Sequence, residues 1–314
     1  MSSVPATPLK LGTRRSPLAM VQAEEARRLL CAAQGWPLDA VTLVPVTASG
    51  DKVQDRPLAE IGGKALWTKE LDAWLIAGEI DFAVHSAKDV ETMRPAAITI
   101  AAVLEREDVC DVLVGAPSLA ALPPGAVIGT SAPRRAAQLL HMRPDCRVVS
   151  FRGNVATRLA KLAAGEADAT LLAAAGLKRL GQMAVGTPLN VSDWLPAPGQ
   201  GAIAIECRSD DADTCGLLAA IDHAPSRATL LAERGLLAAL GGNCHSAIGV
   251  VTESNGVGEG EQLHMRAALF GPDGVERIEA ETRFAPGDTA APVWLAADLL
   301  AHASPQLRAL FGGA

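Results

Sequence analysis

At 314 residues, 49% of them hydrophobic and 20% charged, the chain is long enough for two or three domains and too apolar to be disordered. Its 35 acids against 28 bases give a net charge of −7, which argues against nucleic-acid binding as a property of the whole surface. Clean apolar runs such as residues 171–177 are far below the roughly 18–20 residues of a membrane helix, and Met1-Ser2-Ser3-Val4-Pro5 carries no leader pattern, so a cytoplasmic protein without membrane contact is expected.

In chain order, residues 9–12 read as a strand, the amphipathic run 18–30 as a helix, 41–46 as a strand, 66–77 as a helix, and 80–84 and 98–103 as strands. This alternation predicts an α/β domain with a largely parallel sheet. The pattern repeats with strands at 127–129, 148–150 and 169–173 and with helices from Pro133 and through 154–163, which predicts a second domain of the same kind. The turn-rich Leu195-Pro196-Ala197-Pro198-Gly199-Gln200-Gly201 leads into a strand at 202–206, read as a crossing back to the first domain. A helix at 227–240, strands at 247–251 and 263–270 and a last helix at 292–301 form a smaller α+β tail. The expected domains are 1–103 with about 202–221, then 104–201, then 222–314.

Charge is not spread evenly. Between Val127 and Leu180 stand nine bases (Arg134, Arg135, Arg143, Arg147, Arg152, Arg158, Lys161, Lys178, Arg179) against three acids (Asp145, Glu166, Asp168), so this segment is suited to anions. Ser131-Ala132-Pro133-Arg134-Arg135 places a proline at a helix start beside two guanidiniums, which predicts an outward-facing carboxylate or phosphate cradle. Arg152-Gly153-Asn154 precedes the next helix, with Arg158 near its first turns, and Arg179 follows the next strand. Thr13-Arg14-Arg15-Ser16-Pro17 repeats the logic at the first junction, with Ser16 as a cap. Gly62-Gly63-Lys64 lacks the spacing of a phosphate loop, so no nucleotide site is read there.

Two positions carry reactive chemistry. Asp89, in His85-Ser86-Ala87-Lys88-Asp89, follows an apolar strand, where open α/β sheets place ligands; a carboxylate there can hold an amine or pyrrole N–H and move a proton, and the same spacing also fits a loop aspartate capping a turn. Cys244, in Gly241-Gly242-Asn243-Cys244-His245, is a reachable thiol and a candidate nucleophile. None of the six cysteines forms a Cys-x-x-Cys pair, so no metal site is expected.

Read together, these strings resemble the porphobilinogen deaminase (hydroxymethylbilane synthase) family from about Leu9 into the C-terminal region. The carrying residues are Thr13-Arg14-Arg15-Ser16-Pro17-Leu18-Ala19, Gly62-Gly63-Lys64, Ala83-Val84-His85-Ser86-Ala87-Lys88-Asp89, Glu105-Arg106-Glu107-Asp108, Arg152-Gly153-Asn154-Val155, Ala175-Gly176-Leu177-Lys178-Arg179-Leu180-Gly181 and Pro198-Gly199-Gln200-Gly201. The resemblance implies three domains: two periplasmic-binding-protein-like α/β domains around a cleft, the first completed by a later strand, plus a smaller α+β C-terminal domain carrying the cysteine loop. It implies a transferase that condenses four porphobilinogen molecules head to tail, losing ammonia each time, on a dipyrromethane primer held by thioether to Cys244, and then hydrolyses off the linear tetrapyrrole. Each pyrrole bears an acetate and a propionate, which gives the arginines a chemical reason.

By the same carry-over Asp89 is the catalytic carboxylate, which stabilises the cationic azafulvene left when ammonia departs. Lys88, Arg134, Arg135 and Arg158 would grip primer carboxylates, with Ser86, Thr130, Ser131, Asn154 and Gln200 as polar supports. Arg14, Ser16, Gln22, Lys64, Trp67, Arg152 and Arg179 would hold the incoming porphobilinogen and the growing chain. A monomer that passes its product to uroporphyrinogen III synthase is implied. The chain departs from the commoner family pattern at Ala132-Pro133, Trp67, Ala87 and His245-Ser246-Ala247, which bears on rate and loop geometry. The rival reading is a non-enzymatic cytoplasmic anion-binding protein with the same cleft, which would have no use for Asp89 or Cys244. A single-stranded nucleic-acid binder would need aromatic platforms, and Phe151 is the one Phe, Trp or Tyr between Val127 and Leu180.

Overall fold

The computed structural model describes residues 4–47, 68–243, 246–256 and 260–311. The chain opens with β1 (Leu9–Arg14), α1 (Pro17–Gln34), β2 (Val41–Val46), α2 (Lys69–Ile76), β3 (Phe82–Ser86) and β4 (Ile98–Val103). Ser16 caps α1 by accepting a hydrogen bond from Ala19 N at 3.4 Å, Pro17 fills its first position, and Ala19, Ala23, Ala26 and Leu30 make its buried stripe. The helix runs four residues past the predicted end and stops at Gly35, whose φ of 72° allows the reversal. β3 begins and ends two residues later than predicted, because Ser86 and His85 pair across to Ile203 and Ala204.

Next come β5 (Asp111–Val114), β6 (Val127–Gly129), α3 (Pro133–Met142), β7 (Arg147–Val149), α4 (Val155–Ala163), β8 (Ala169–Ala173), α5 (Ala174–Arg179) and β9 (Thr187–Pro188). Then β10 (Ile203–Arg208) returns to the first sheet and inserts between β3 and β4. The two five-stranded sheets share one plan: β2-β1-β3-β10-β4 and β7-β6-β8-β5-β9. In each, the first three strands are parallel and the fourth is antiparallel to both neighbours. That reversed strand comes from later in the chain in the first sheet and from earlier in the second.

The remainder is α6 (Ala212–Ala219), α7 (Ala224–Ala239), β11 (Ile248–Asn255), β12 (Gln262–Phe270), β13 (Arg277–Phe284), α8 (Ala290–His302) and α9 (Pro305–Arg308), with β11-β12-β13 an antiparallel sheet. Leu236 and Leu240, Val250, Met265, Leu295 and Leu299 close the core of this sheet.

The described residues group into two compact units, one holding the first sheet and the other holding the second and third. Within the second unit, Ala137 of α3 and Leu195 share an apolar cluster with Ala268 and Phe270 of β12, and His141 Nδ1 lies 2.9 Å from Gly274 O. No described helix is long and apolar enough to cross a membrane.

Candidate active site

In the first unit β1 and β3 are parallel neighbours, so their C-terminal ends emerge side by side. Arg14 is the last residue of β1, and Asp89 ends the short turn Ala87–Asp89 after β3. Arg14 Nη1 lies 3.7 Å from Asp89 Oδ2, with side chains 18% and 34% exposed, so a ligand can reach both charges. Lys88, half-buried, stands next to the carboxylate. Gln22, buried on α1, donates from Nε2 to Ser86 Oγ at 2.9 Å and accepts from that hydroxyl at 3.1 Å, which ties α1 to the end of β3. The Ser16 hydroxyl is the α1 cap, as expected.

A buried polar network lies behind this end. Arg94 is bidentate to Asp72 at 2.6 and 3.1 Å and to Glu206 at 2.8 Å twice. His85 Nε2 sits 3.4 Å from Glu206 Oε2 without completing a hydrogen bond. Burial, aided by Arg94, lowers the His85 pKa to about 4. A histidine that resists protonation when folded favours folding fully above its unfolded pKa, and that stability is lost as pH falls from 6.5 toward 4. Between pH 7 and pH 5 wild type is expected to lose roughly 2 kcal/mol from this group, a loss that His85→Gln removes; urea unfolding midpoints of both proteins at the two pH values measure the difference.

In the second unit β7, β6 and β8 are parallel neighbours, so three strand ends again lie along one edge. After β6, Thr130 is buried and its Oγ1 accepts from Ala132 N at 3.2 Å, while Ser131 Oγ donates to Phe151 O at 2.8 Å. After β7, Arg152 is buried, Gly153 adopts a φ of 104°, and Asn154 caps α4 by accepting from Thr157 N at 2.9 Å. Arg158 Nε donates to Gly153 O at 3.0 Å, which binds the helix back onto its own entry loop. Ring atoms of Phe151 fill the space where a side chain on Gly129 would stand, so the β7 exit lies directly over the end of β6. Arg179, half-buried, ends α5 rather than standing at the end of β8.

One expectation is corrected here: the guanidiniums of Arg134 and Arg135 do not face outward. Both are buried on Asp111, Arg134 Nη2 to Oδ2 at 2.8 Å and Arg135 Nη2 to Oδ1 at 2.7 Å. Their remaining hydrogen bonds include Arg134 Nη1 to Leu195 O at 2.5 Å and Arg135 Nη1 to Leu171 O at 2.8 Å. Gln200 also points inward, its Nε2 donating to Asp111 Oδ1 at 2.8 Å and to Val109 O at 2.7 Å, and Trp194 Nε1 reaches Oδ2 at 2.8 Å. The physical reason is Asp111 itself: a fully buried carboxylate must be paired, and here it draws four donors.

Burial alone would raise the Asp111 pKa, but the Arg134 and Arg135 charges outweigh it and hold the carboxyl far below the usual range. Burial in turn lowers the pKa of Arg134. Two guanidiniums against one carboxylate leave a positive charge, and Arg135 Nε is buried without a hydrogen-bond partner among the described residues. Asp111→Ala is expected to cost about 3–5 kcal/mol in urea unfolding, because it strands two buried cations.

Asp111 was not singled out as a functional residue, yet it left a signal: an acid that opens the apolar run Asp111-Val112-Leu113-Val114, upstream of two adjacent arginines. Cys244, Lys64 and Trp67, and with them His245, lie outside the described residues. On either side of Cys244-His245, Asn243 N donates to Ser246 Oγ at 3.1 Å and Ser246 N to Asn243 O at 3.0 Å.

Residues 9–216 match the family model described as "Porphobilinogen deaminase, dipyromethane cofactor binding domain", and residues 228–301 match "Porphobilinogen deaminase, C-terminal domain". The chain is 53% identical over 314 residues to a porphobilinogen deaminase of Sphingopyxis alaskensis, covering 98% of each. It is 48% identical over 280 residues to one of Paracoccus denitrificans, covering 88% of each. Among solved structures, a double mutant of the BvgS VFT2 domain from Bordetella pertussis aligns at 15% identity and a TM-score of 0.40, over 68% of this chain and 85% of that one.

Proposed function

The chain belongs to the porphobilinogen deaminase family, and from that premise we propose how its residues divide the work. It is a transferase of porphyrin and heme biosynthesis: it condenses four porphobilinogen molecules on a dipyrromethane cofactor, releasing ammonia at each step and finally the linear tetrapyrrole hydroxymethylbilane. The anion-binding rival gives way to this membership.

The residues fit a cofactor carrying four carboxylates. Lys88 follows β3 in the first unit; in the second, Arg152 follows β7, Arg158 lies in the first turns of α4, and the Arg134–Arg135–Asp111 cluster keeps a positive charge behind them. Each charge-assisted contact of this kind contributes on the order of 1.5–3 kcal/mol. Bound through a thioether to Cys244, the cofactor supplies an electron-rich pyrrole carbon for the first addition. Ser86, Thr130, Ser131, Asn154 and Gln200 hold the surrounding loops, with Gln200 acting through Asp111.

Arg14, Arg152 and Arg179 take carboxylates of the incoming porphobilinogen, together with Ser16, Gln22, Lys64 and Trp67. Asp89 accepts hydrogen bonds from pyrrole N–H groups and sets a negative charge beside the positive charge that develops on porphobilinogen as its amine leaves. Arg14, whose guanidinium neighbours that carboxylate, fixes the acid group of the same substrate and so aligns its reacting carbon. We further propose a cytoplasmic monomer that hands its product to uroporphyrinogen III synthase.

The observation that carries this division is the Arg14–Asp89 pair, brought together by neighbouring parallel strand ends. Its test combines porphobilinogen consumption with the intact mass of the purified protein under denaturing conditions. Turnover together with an added mass of two linked pyrroles supports the reading. A bare mass that stays bare after incubation with porphobilinogen overturns it.

A further inference from the structure

We propose that Cys207 and Cys215 form a modification site that closes to a disulfide when a peroxide reaches it, joining β10 to α6. Their sulfurs lie 3.3 Å apart, while a disulfide needs roughly 2.05 Å, so closure takes an approach of about 1.3 Å. Both are free thiols.

The segment between them is held in place from several sides. Arg208 Nη1 donates to Leu75 O at 3.1 Å and to Ile80 O at 3.0 Å, and its Nη2 pairs with Asp211 at 2.5 Å. Asp211 caps α6 through Thr214 N at 3.0 Å. The strand residue and the helix residue are thus already facing each other, and little chain entropy is left to lose on closure.

The two sulfurs differ in access. Cys207 is fully buried between β3 and β4 in the first sheet, whereas Cys215 is half-buried. Burial, with Cys215 beside it, pushes the Cys207 pKa up to about 12, so Cys207 stays a thiol and a poor target by itself.

The order of events follows. Peroxide oxidises Cys215 to the sulfenic acid and is itself reduced to water or an alcohol. The Cys207 sulfur then attacks the Cys215 sulfur, the S–O bond breaks, and the Cys207 proton leaves with the hydroxyl as water. Two thiols lose two electrons and two protons, and one peroxide accepts them.

The holoenzyme is treated with hydrogen peroxide, denatured in N-ethylmaleimide and digested with trypsin, which cuts after Arg208 and separates the two cysteines. The expected result is a linked peptide pair that dithiothreitol releases, absent from Cys215→Ser, with an upward shift of the thermal midpoint in oxidised wild type that the variant lacks. Both cysteines alkylated after peroxide, Cys215 converted to sulfinic acid without a link, or a link from Cys215 to Cys31 would each overturn the proposal. Because the readout is the linked pair, the result does not depend on the roles assigned to Asp89 and the arginines.

Discussion

Asp89→Asn is expected to lower kcat by roughly 100- to 1,000-fold, the cost of removing one preorganised electrostatic group from a reacting centre. Asparagine keeps the size of the side chain and an oxygen for hydrogen bonding, so the change removes the charge alone. As ammonia leaves porphobilinogen, positive charge grows on the pyrrole, and an amide cannot offset it. KM should stay close to wild type, with kcat and kcat/KM falling together, because the lost interaction belongs to the transition state.

Stability should be almost untouched. The side chain is one-third exposed and its ion pair with Arg14 spans 3.7 Å; exposed pairs of this kind contribute about 0–1 kcal/mol. Steady-state rates beside a thermal melt separate the two effects. Wild-type kcat in a folded Asp89→Asn protein would remove the residue from the mechanism.

Cys244→Ser is expected to yield a protein with the bare polypeptide mass and no turnover above background. A thioether requires sulfur, and a serine hydroxyl becomes a nucleophile only with a positioned base. His245 is adjacent in sequence, and neighbours in a chain seldom achieve that geometry. Among the other cysteines, Cys31, Cys146 and Cys207 are buried, which leaves Cys110 and Cys215 as the thiols a displaced primer could reach. Burial and Asp108 raise the Cys110 pKa to about 12, so little thiolate is present there. A Cys244→Ser protein that still carried two pyrroles would contradict the assignment, and peptide mapping would show which sulfur holds them.

What was legible in the sequence was whatever repeats locally. The stripe of α1, the strands at 41–46 and 98–103 and the proline start of α3 follow from periodicity and capping, and all appear. β5 and β13 were missed for different reasons. β5 has four residues after an acid-rich stretch, and β13 alternates Arg277, Glu279, Glu281 and Arg283 with Ile278, Ala280, Thr282 and Phe284, of which Phe284 alone is buried, so its period-two signal is weak and pairing with β12 completes the strand. The same limit applied to the site. Strand-to-helix junctions with arginines were visible, but the inward turn of Arg134 was not, because its partner Asp111 is 23 residues away and nothing local couples them.

The reversed strand of the first sheet has a consequence for the order of synthesis. β10 occupies the gap between β3 and β4, yet it is made only after every strand of the second sheet. A nascent chain emerging from the ribosome therefore holds the edge of β3 unpaired while the second sheet, complete at β9, is already able to close. Any truncation upstream of Ile203 would leave the strand that leads to Asp89 with an open edge, so the Asp89 carboxylate acquires its final setting late, when the second sheet has been translated in full.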